Sequence, residues 1–122
     1  MNDVDAERTA DFFKITPVSL WHAAEGAGFF NGSPDDVRDG FIHLSTADQI
    51  EGTLAKHFRN QDDLIIVAFD SAQLGSSLKW EASRGGELFP HVYGALPVTL
   101  ALWQRPLKLG ADGIPEFDKD QA

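Results

Sequence analysis

The stretch FIHLSTADQ, residues 41–49, carries the densest structural signal in the chain. Its first five residues have the composition of a β-strand, and alternation places Phe41, His43 and Ser45 on one face of that strand. Residues 46–49 then have the Thr-x-x-Gln spacing of a capping box, which predicts that a helix begins directly after the strand. We therefore expect a histidine and a hydroxyl to project together at the mouth of a helix.

Outward from this stretch, hydrophobic periodicity predicts two main helices and about five strands. The helices are expected at about residues 17–26 and 47–58, and the turn residues of 29–40 predict a loop. Strands are expected at residues 12–15, 63–69, 78–82, 89–94 and 98–105. The apolar run 63–69 is expected to be central, whereas Pro90 predicts an edge or loop-like position for its segment. Few crossover helices separate the strands, so the sequence predicts an α+β fold with a mostly antiparallel mixed sheet.

Length and composition predict one domain. The chain has 122 residues, 43% of them hydrophobic, and we place the domain at residues 12–111, between acidic tails at 1–11 and 112–122. The net charge of −9, without a cluster of Lys and Arg, argues against binding of duplex nucleic acid. The longest strongly apolar run, Leu64–Phe69, is far shorter than the ~20 residues that cross a bilayer, so no membrane association is expected. Cysteine is absent, and a cytoplasmic location is the default expectation.

His43 is the first candidate catalytic residue. A strand histidine two residues before Ser45, beside the helix that Thr46 begins, can offer an imidazole and a hydroxyl to one ligand. The free backbone N–H groups at the start of that helix also suit an anion. The alternative is a core histidine that bonds a backbone carbonyl, with Ser45 and Thr46 acting only as caps.

The second group of candidates lies further along the chain. His91 shares a strand face with Phe89 and Tyr93, which would form an aromatic wall with a polar tip for a planar ring. The alternative is an aromatic cluster that closes the core. Glu81, next to Trp80, is a candidate base or ribose ligand, or else a solvated carboxylate paired with a neighbouring cation.

The remaining histidines carry less weight. His22, beside Trp21 on the first helix, is kept as a weak ligand-binding candidate, whereas His57 falls on the apolar stripe of its helix and is expected to pack. The four histidines are scattered and lack a carboxylate motif at metal-ligand spacing, so no metal site is expected. The glycine pattern of a dinucleotide fingerprint is also absent.

Three separated motifs occur in the order found in a bacterial family. They are GFIHLST at residues 40–46, Trp80-Glu81, and FPHVYG at residues 89–94. With these motifs the chain resembles the bacterial domain of unknown function family 952 over about residues 12–107. That family is similar to a small ADP-ribosyltransferase fold, which includes RNA 2′-phosphotransferases that consume NAD.

The resemblance implies that a pocket between two halves of the sheet binds NAD or another small nucleotide-like ligand. It also implies ADP-ribosyl or glycosidic-bond transfer. The residues given roles by this interpretation are His43 and Ser45 at the ribose and amide, Tyr93 or Trp80 on a ring, and Glu81 or His91 in catalysis. Two alternatives stay open, namely a module that binds a nucleotide or small metabolite without catalysis and a protein-interaction domain with a flat, exposed aromatic patch.

Overall fold

The computed structural model describes residues 10–118. Its strands are β1 (Phe12–Pro17), β2 (Phe29–Phe30), β3 (Ile42–His43), β4 (Leu64–Phe69), β5 (Leu78–Ala82), β6 (Leu88–Val92), β7 (Leu96–Pro97), β8 (Ala101–Pro106), β9 (Lys108–Leu109) and β10 (Pro115–Glu116). Its helices are α1 (Val18–Ala27), α2 (Pro34–Asp39) and α3 (Ile50–His57), with a 3-10 turn at Ala47–Gln49 before α3. The predicted α+β class is confirmed, and the sheets are antiparallel rather than mixed at every strand pair of the described residues.

The first sheet has the strand order β1-β4-β8 and lies at the centre of the molecule. Its middle strand β4 is buried along its whole length, as its apolar run predicts. Ile65, Val67 and Phe69 enter one hydrophobic cluster with α1, while the alternate residues of β4 enter a second cluster with α3. Burial of each such side chain contributes about 1.5–3 kcal/mol, so the two clusters hold the sheet between the two helices.

The second sheet has the order β3-β6-β5, and β3 joins it to the first sheet. His43 of β3 lies opposite His91 of β6. Just beyond β3, Ser45 exchanges two backbone hydrogen bonds with Phe13 of β1, with N···O distances of 2.8 and 2.9 Å. Six of the ten strands in residues 10–118 therefore follow one path, β8-β4-β1-β3-β6-β5, which divides into two halves at residues 43–45. The other four form the separate pairs β2-β7 and β10-β9.

Residues 29–40 were expected to form a loop, but they contain β2 and α2. The expectation is wrong because turn residues can also begin a helix. Ser33 is the N-cap of α2, Pro34 occupies its first turn, and Asp36 accepts a hydrogen bond from the Ser33 N–H at 2.9 Å. Gly40 ends the helix in the left-handed region, at φ 87°. The short helix is a third beyond the two expected, and it places Asp36 beside β3.

The strand β6 is the middle strand of its sheet, although Pro90 predicts an edge or loop-like position. The Pro90 carbonyl accepts a hydrogen bond from the Leu44 N–H at 3.0 Å, so it points towards the β3 side. In an antiparallel sheet the N–H and C=O of one residue point to the same neighbour, so the N–H that proline lacks would also have faced Leu44, just past the end of β3. No ladder hydrogen bond to β5 is therefore lost, and proline is tolerated inside the sheet.

The ordered fold continues past residue 111, where the acidic C-terminal tail was expected to begin. β10 pairs with β9, and Ile114 and Phe117 pack against the second hydrophobic cluster. Residues 1–9 and 119–122 of the two expected tails lie outside the described residues. Along the described chain, no helix has the length and apolar character needed to cross a membrane.

Candidate functional site

Two histidines from distant parts of the chain face each other across β3 and β6. The ring centroids of His43 and His91 are 5.3 Å apart, with the rings nearly perpendicular at 73°. Phe41 contacts both rings, because it stacks on His91 at 4.1 Å and lies 4.6 Å from His43. The strand register thus brings the two sequence motifs onto one face of the second sheet.

His43 is held by the short helix α2. Its Nδ1 lies 2.6 Å from Oδ1 of Asp36, and its backbone N–H donates to the same oxygen at 3.1 Å. Its Nε2 lies 3.0 Å from Oδ2 of Asp39, a residue whose side chain is 35% exposed. Both ring nitrogens of His43 are therefore engaged by carboxylates, and a ligand can reach Nε2 only by displacing Asp39.

Asp36 is a buried charge that is compensated on several sides. Its side chain is 1% exposed, and Nζ of Lys14 lies 2.8 Å from Oδ2 and 3.0 Å from Oδ1. Burial alone would raise the pKa of Asp36, but the hydrogen bond from His43 and the Lys14 charge outweigh it and hold that pKa well below its usual range. Burial also lowers the pKa of the Lys14 ammonium, an effect that Asp36 opposes. Asp36 is therefore an anion at neutral pH and accepts from Nδ1 of His43.

His91 has a different environment, built by β5. Its Nδ1 lies 2.7 Å from Oε1 of Glu81, and the Tyr93 hydroxyl donates to both Glu81 oxygens at 2.9 and 3.0 Å. The hydrogen bond from His91 lowers the pKa of Glu81, so the carboxylate accepts and Nδ1 donates. In the neutral imidazole the lone pair then lies on Nε2. Among residues 10–118 no hydrogen bond engages that nitrogen, and the ring, whose side chain is 5% exposed, is part of the cavity lining described next.

Both histidines line a cavity of about 400 Å³ at the junction of the two sheets. β1 and α2 form one side, α3 forms another, and the loop between β5 and β6 covers the end. Gln49 ties this loop to the start of α3, because its amide donates to Oε2 of Glu87 at 3.1 Å and to the Leu88 carbonyl at 2.8 Å. Four of the predicted site residues line the cavity: His43, Ser45, Phe89 and His91.

The cavity is rich in carboxylates. Its acidic lining residues outnumber its Lys and Arg residues, being Asp35, Asp36, Asp39, Asp48 and Glu87 against Lys14, Arg38 and Lys56. Arg38 is itself engaged by acids, since it donates to Asp35 and Asp39 at 3.1 Å each. No group of three or more His, Cys, Asp or Glu side chains in the described part of the chain is arranged to hold a metal ion.

The other predicted site residues lie outside the cavity lining. Glu81 accepts a hydrogen bond from His91, and Tyr93 donates one to Glu81. Thr46 forms the capping box with Gln49. The expectation that Trp80 stacks on a ligand ring is wrong. Trp80 lies on the opposite face of β5 from Glu81, is 50% exposed, and contacts Phe12 edge-on at 5.3 Å. It cannot stack on a ligand in the cavity, because neighbouring strand residues point to opposite faces.

The positions of His22, His57 and Phe89 also differ from three expectations. His22 is exposed on α1 and is not part of the cavity lining. His57 was expected to pack, but it is the last residue of α3, is exposed, and lines the cavity. Phe89 is half-buried in the cavity wall, so it does not form the flat patch with Tyr93 that a protein-interaction domain would present.

Sequence reasoning missed the residues that support His43. Asp36 and Asp39 fell in the expected loop, although the Ser33-Pro34-x-Asp36 spacing is a helix start in which Asp36 is the third helical residue. Lys14 also carried a signal, because a lysine inside the apolar strand FFKIT must be paired when that strand is buried. The partner of that lysine, 22 residues away, was not visible from the strand alone.

Comparison with known proteins identifies the family. A family model described as "Protein of unknown function (DUF952)" matches residues 15–103. The chain belongs to the DUF952 family. Among curated proteins none matches.

Solved structures of another protein show a similar fold. The chain is similar to the crystal structure of protein CC0527 from Caulobacter crescentus, with 47% identity and a TM-score of 0.84 over 86% of this chain and 92% of that one. It is also similar to the solution NMR structure of CC0527, with 45% identity and a TM-score of 0.80 over 88% of this chain and 93% of that one. The overall fold is therefore shared with a relative whose structure was determined by two methods.

Proposed function

We propose that the cavity binds NAD or an NAD-derived nucleotide as a substrate and that the protein catalyses ADP-ribosyl or glycosidic-bond transfer. This function is the one implied by the resemblance to a small ADP-ribosyltransferase fold. The observation that carries it is His91, whose Nδ1 is held by Glu81 while its Nε2 is left for a ligand. A carboxylate behind an imidazole is the usual way to fix a general base.

The charge of the cavity supports glycosidic chemistry. Cleavage of a glycosidic bond passes through a sugar that carries positive charge, as in an oxocarbenium ion. Carboxylates in the wall favour such a cation, and five of them line the cavity against three Lys and Arg residues. An excess of acids would oppose binding of a polyanion, so we place the sugar and nicotinamide, rather than both phosphates, inside.

The size of the cavity supports the same arrangement. About 400 Å³ is within the roughly 300–1,000 Å³ of small-molecule pockets, and it suits part of a dinucleotide. Phe89 offers an aromatic surface in the lining, and the hydroxyl of Ser45 is there to bond a sugar or amide. Trp80 has no part in this binding, because it lies on the other face of the sheet.

The proposed step follows from these positions. The bond between ribose C1′ and the nicotinamide nitrogen breaks, and nicotinamide leaves with the electron pair. An acceptor hydroxyl, water in the simplest case, forms the new C1′–O bond and gives its proton to Nε2 of His91. With water the products are ADP-ribose, nicotinamide and one proton. Glu81 acts through His91 as a positioning residue, and Tyr93 acts through Glu81.

The test is release of nicotinamide from NAD, followed by chromatography, with binding of NAD, ADP-ribose and nicotinamide measured by thermal shift. We expect ligand-dependent stabilisation at millimolar ligand and slow release of nicotinamide. The His91→Gln variant should lose at least about 100-fold in rate, the effect of a removed general base. Trp80→Phe is the matched control and should keep the wild-type rate. Absence of both binding and release would overturn the proposal.

A binding module without turnover is the second candidate. The observation in its favour is that both ring nitrogens of His43 are engaged by Asp36 and Asp39, so only one of the two facing histidines is free to move a proton. In that case the nucleotide binds but stays intact through a long incubation. Ligand-dependent stabilisation with no nicotinamide release would select this candidate over the enzyme.

A further inference from the structure

The helix α3 presents one continuous face to the cavity. The residues of this face are spaced three and four apart, as neighbours on a helix surface must be, and are Gln49 before the helix and Gly52, Thr53 and Lys56 within it. The opposite face of the helix carries Ile50 and Leu54, which are buried in the second hydrophobic cluster. The face with Ile50 and Leu54 stabilises the fold by packing, whereas the other face borders the cavity.

Gly52 lies in the middle of the cavity face, and the fold does not require a glycine there. Its backbone is not in the left-handed region, and a Cβ added to it would meet no atom within 4 Å. Alanine would favour the helix over glycine, so glycine at this position lowers stability. What glycine provides is an uncovered stretch of helix backbone that borders the cavity, where a ligand can approach closely.

Lys56 lies one turn beyond Gly52 on the same face. Within residues 10–118 no ion pair engages Lys56, whereas Lys14 and Arg38, the other cations of the lining, are held by Asp36 and by Asp35 and Asp39. An uncompensated ammonium beside an open stretch of backbone suits one phosphate group.

We propose that Gly52 and Lys56 form a subsite for one phosphate of a sugar phosphate. Gly52 leaves room for the ligand against the helix, Lys56 binds the phosphate, and Thr53, whose Oγ1 lies 3.1 Å from Oγ of Ser45, supplies a hydroxyl beside it. The subsite deepens the proposed function and rests on it for the rest of the ligand. It assigns the phosphate next to the reacting ribose to α3, whereas His91 belongs to the part of the lining that β6 forms.

The probe is ribose 5-phosphate, with unphosphorylated ribose as the matched ligand, and binding is followed through backbone amide NMR shifts. We expect ribose 5-phosphate to shift the signals of Gly52, Thr53 and Lys56, and ribose to bind at least about tenfold more weakly. The Gly52→Ala variant should weaken binding of ribose 5-phosphate about tenfold, because its methyl group fills the space the ligand needs. Lys56→Gln should weaken it by a similar factor and remove most of its salt dependence.

Gly26→Ala is the matched control, because Gly26 is also a helical glycine with no atom within 4 Å of an added Cβ, and it lies on α1 away from the cavity. Both alanine variants should raise Tm by about 3 °C through helix propensity, but only Gly52→Ala should weaken binding. Unchanged binding in folded Gly52→Ala overturns the subsite, and so does wild-type binding of NAD without binding of ribose 5-phosphate. Binding that responds to both variants, without nicotinamide release from NAD, supports the subsite and overturns the proposed chemistry.

Discussion

The two histidine–carboxylate pairs at the cavity have the same hydrogen bond to Nδ1 but different surroundings. In both, a carboxylate oxygen lies within 2.7 Å of Nδ1, from Asp36 to His43 and from Glu81 to His91. The Asp36 side chain is 1% exposed and is shared with Lys14, whereas the Glu81 side chain is 37% exposed. The first pair also has Asp39 on the second nitrogen.

The two pairs differ in which partner is buried and in how many groups bond it: the carboxylate is buried in the first pair and the imidazole in the second, since the side chains of His43 and His91 are 36% and 5% exposed. Asp36 joins α2, β1 and β3 through charge-assisted hydrogen bonds, and His43 is one of its partners. Glu81 accepts hydrogen bonds from His91 of β6 and from Tyr93, the residue that follows β6, and the second ring nitrogen of His91 has no hydrogen bond among the described residues. We therefore expect the first pair to act chiefly in stability and the second chiefly in the proposed function.

The largest expected effect comes from Asp36→Asn. The amide keeps the shape but leaves the Lys14 ammonium buried without a counter-charge, which costs about 3–5 kcal/mol. Equilibrium denaturation with urea measures this loss. The control is Asp35→Asn, since the Asp35 side chain is 72% exposed and its pair with Arg38 lies on the surface. That control should change stability by less than about 0.5 kcal/mol, and a similarly small change in Asp36→Asn would refute the comparison.

The second prediction concerns acid. Because the pKa of Asp36 is lower in the folded protein than in the unfolded chain, the unfolded chain takes up the proton first as pH falls. The stability from Asp36 is therefore complete above the pKa of an unfolded aspartate, about 3.9, and is lost as pH falls below it. Tm measured from pH 7 to pH 2 should show the wild type and Asp36→Asn converging at the acid end. A constant difference between them would contradict this assignment.

The elements of the fold were more predictable than the partners inside the site. Period-2 and period-3.6 patterns need only neighbours in sequence, so the apolar run of β4 and the Thr46–Gln49 helix start were visible in the chain. Because neighbouring residues of a strand point to opposite faces, the sequence also implied that Trp80 and Glu81 lie on different sides of the sheet. The assignment of both residues to one ligand conflicts with that pattern. Helix α2 was missed because Ser, Pro and Asp both begin helices and make turns.

The pairing of carboxylates with histidines needed information that local patterns do not contain. Glu81 reaches His91 along a diagonal of the β5–β6 hairpin, where Glu81 is directly opposite Phe89. That diagonal exists only in one strand register, which the loop of the hairpin sets. Asp36 reaches Lys14 across two elements that meet only in the folded chain. The candidate residues could be named from sequence, but the difference between the two pairs could not.

The smallest expected effect is that of Glu81→Gln, which tests whether Glu81 orients His91. The variant keeps the shape of the side chain but replaces a charged acceptor with a neutral one, which weakens the hydrogen bond that Glu81 accepts from Nδ1 of His91. The share of His91 with its proton on Nε2 should therefore rise about fivefold, as measured by ¹⁵N NMR of the ring.

The rate of nicotinamide release should fall about tenfold in Glu81→Gln with little change in KM, because a less well oriented base acts in the reaction step rather than in binding. Trp80→Phe, one residue away on the opposite face of β5, should leave both the His91 ring signals and the rate as in the wild type. If Glu81→Gln left the ring signals of His91 unchanged, Glu81 would not be its positioning residue. The Asp36 and Glu81 carboxylates would then differ only in how deeply they are buried, since Glu81 would affect neither the stability of the protein nor the tautomer of His91.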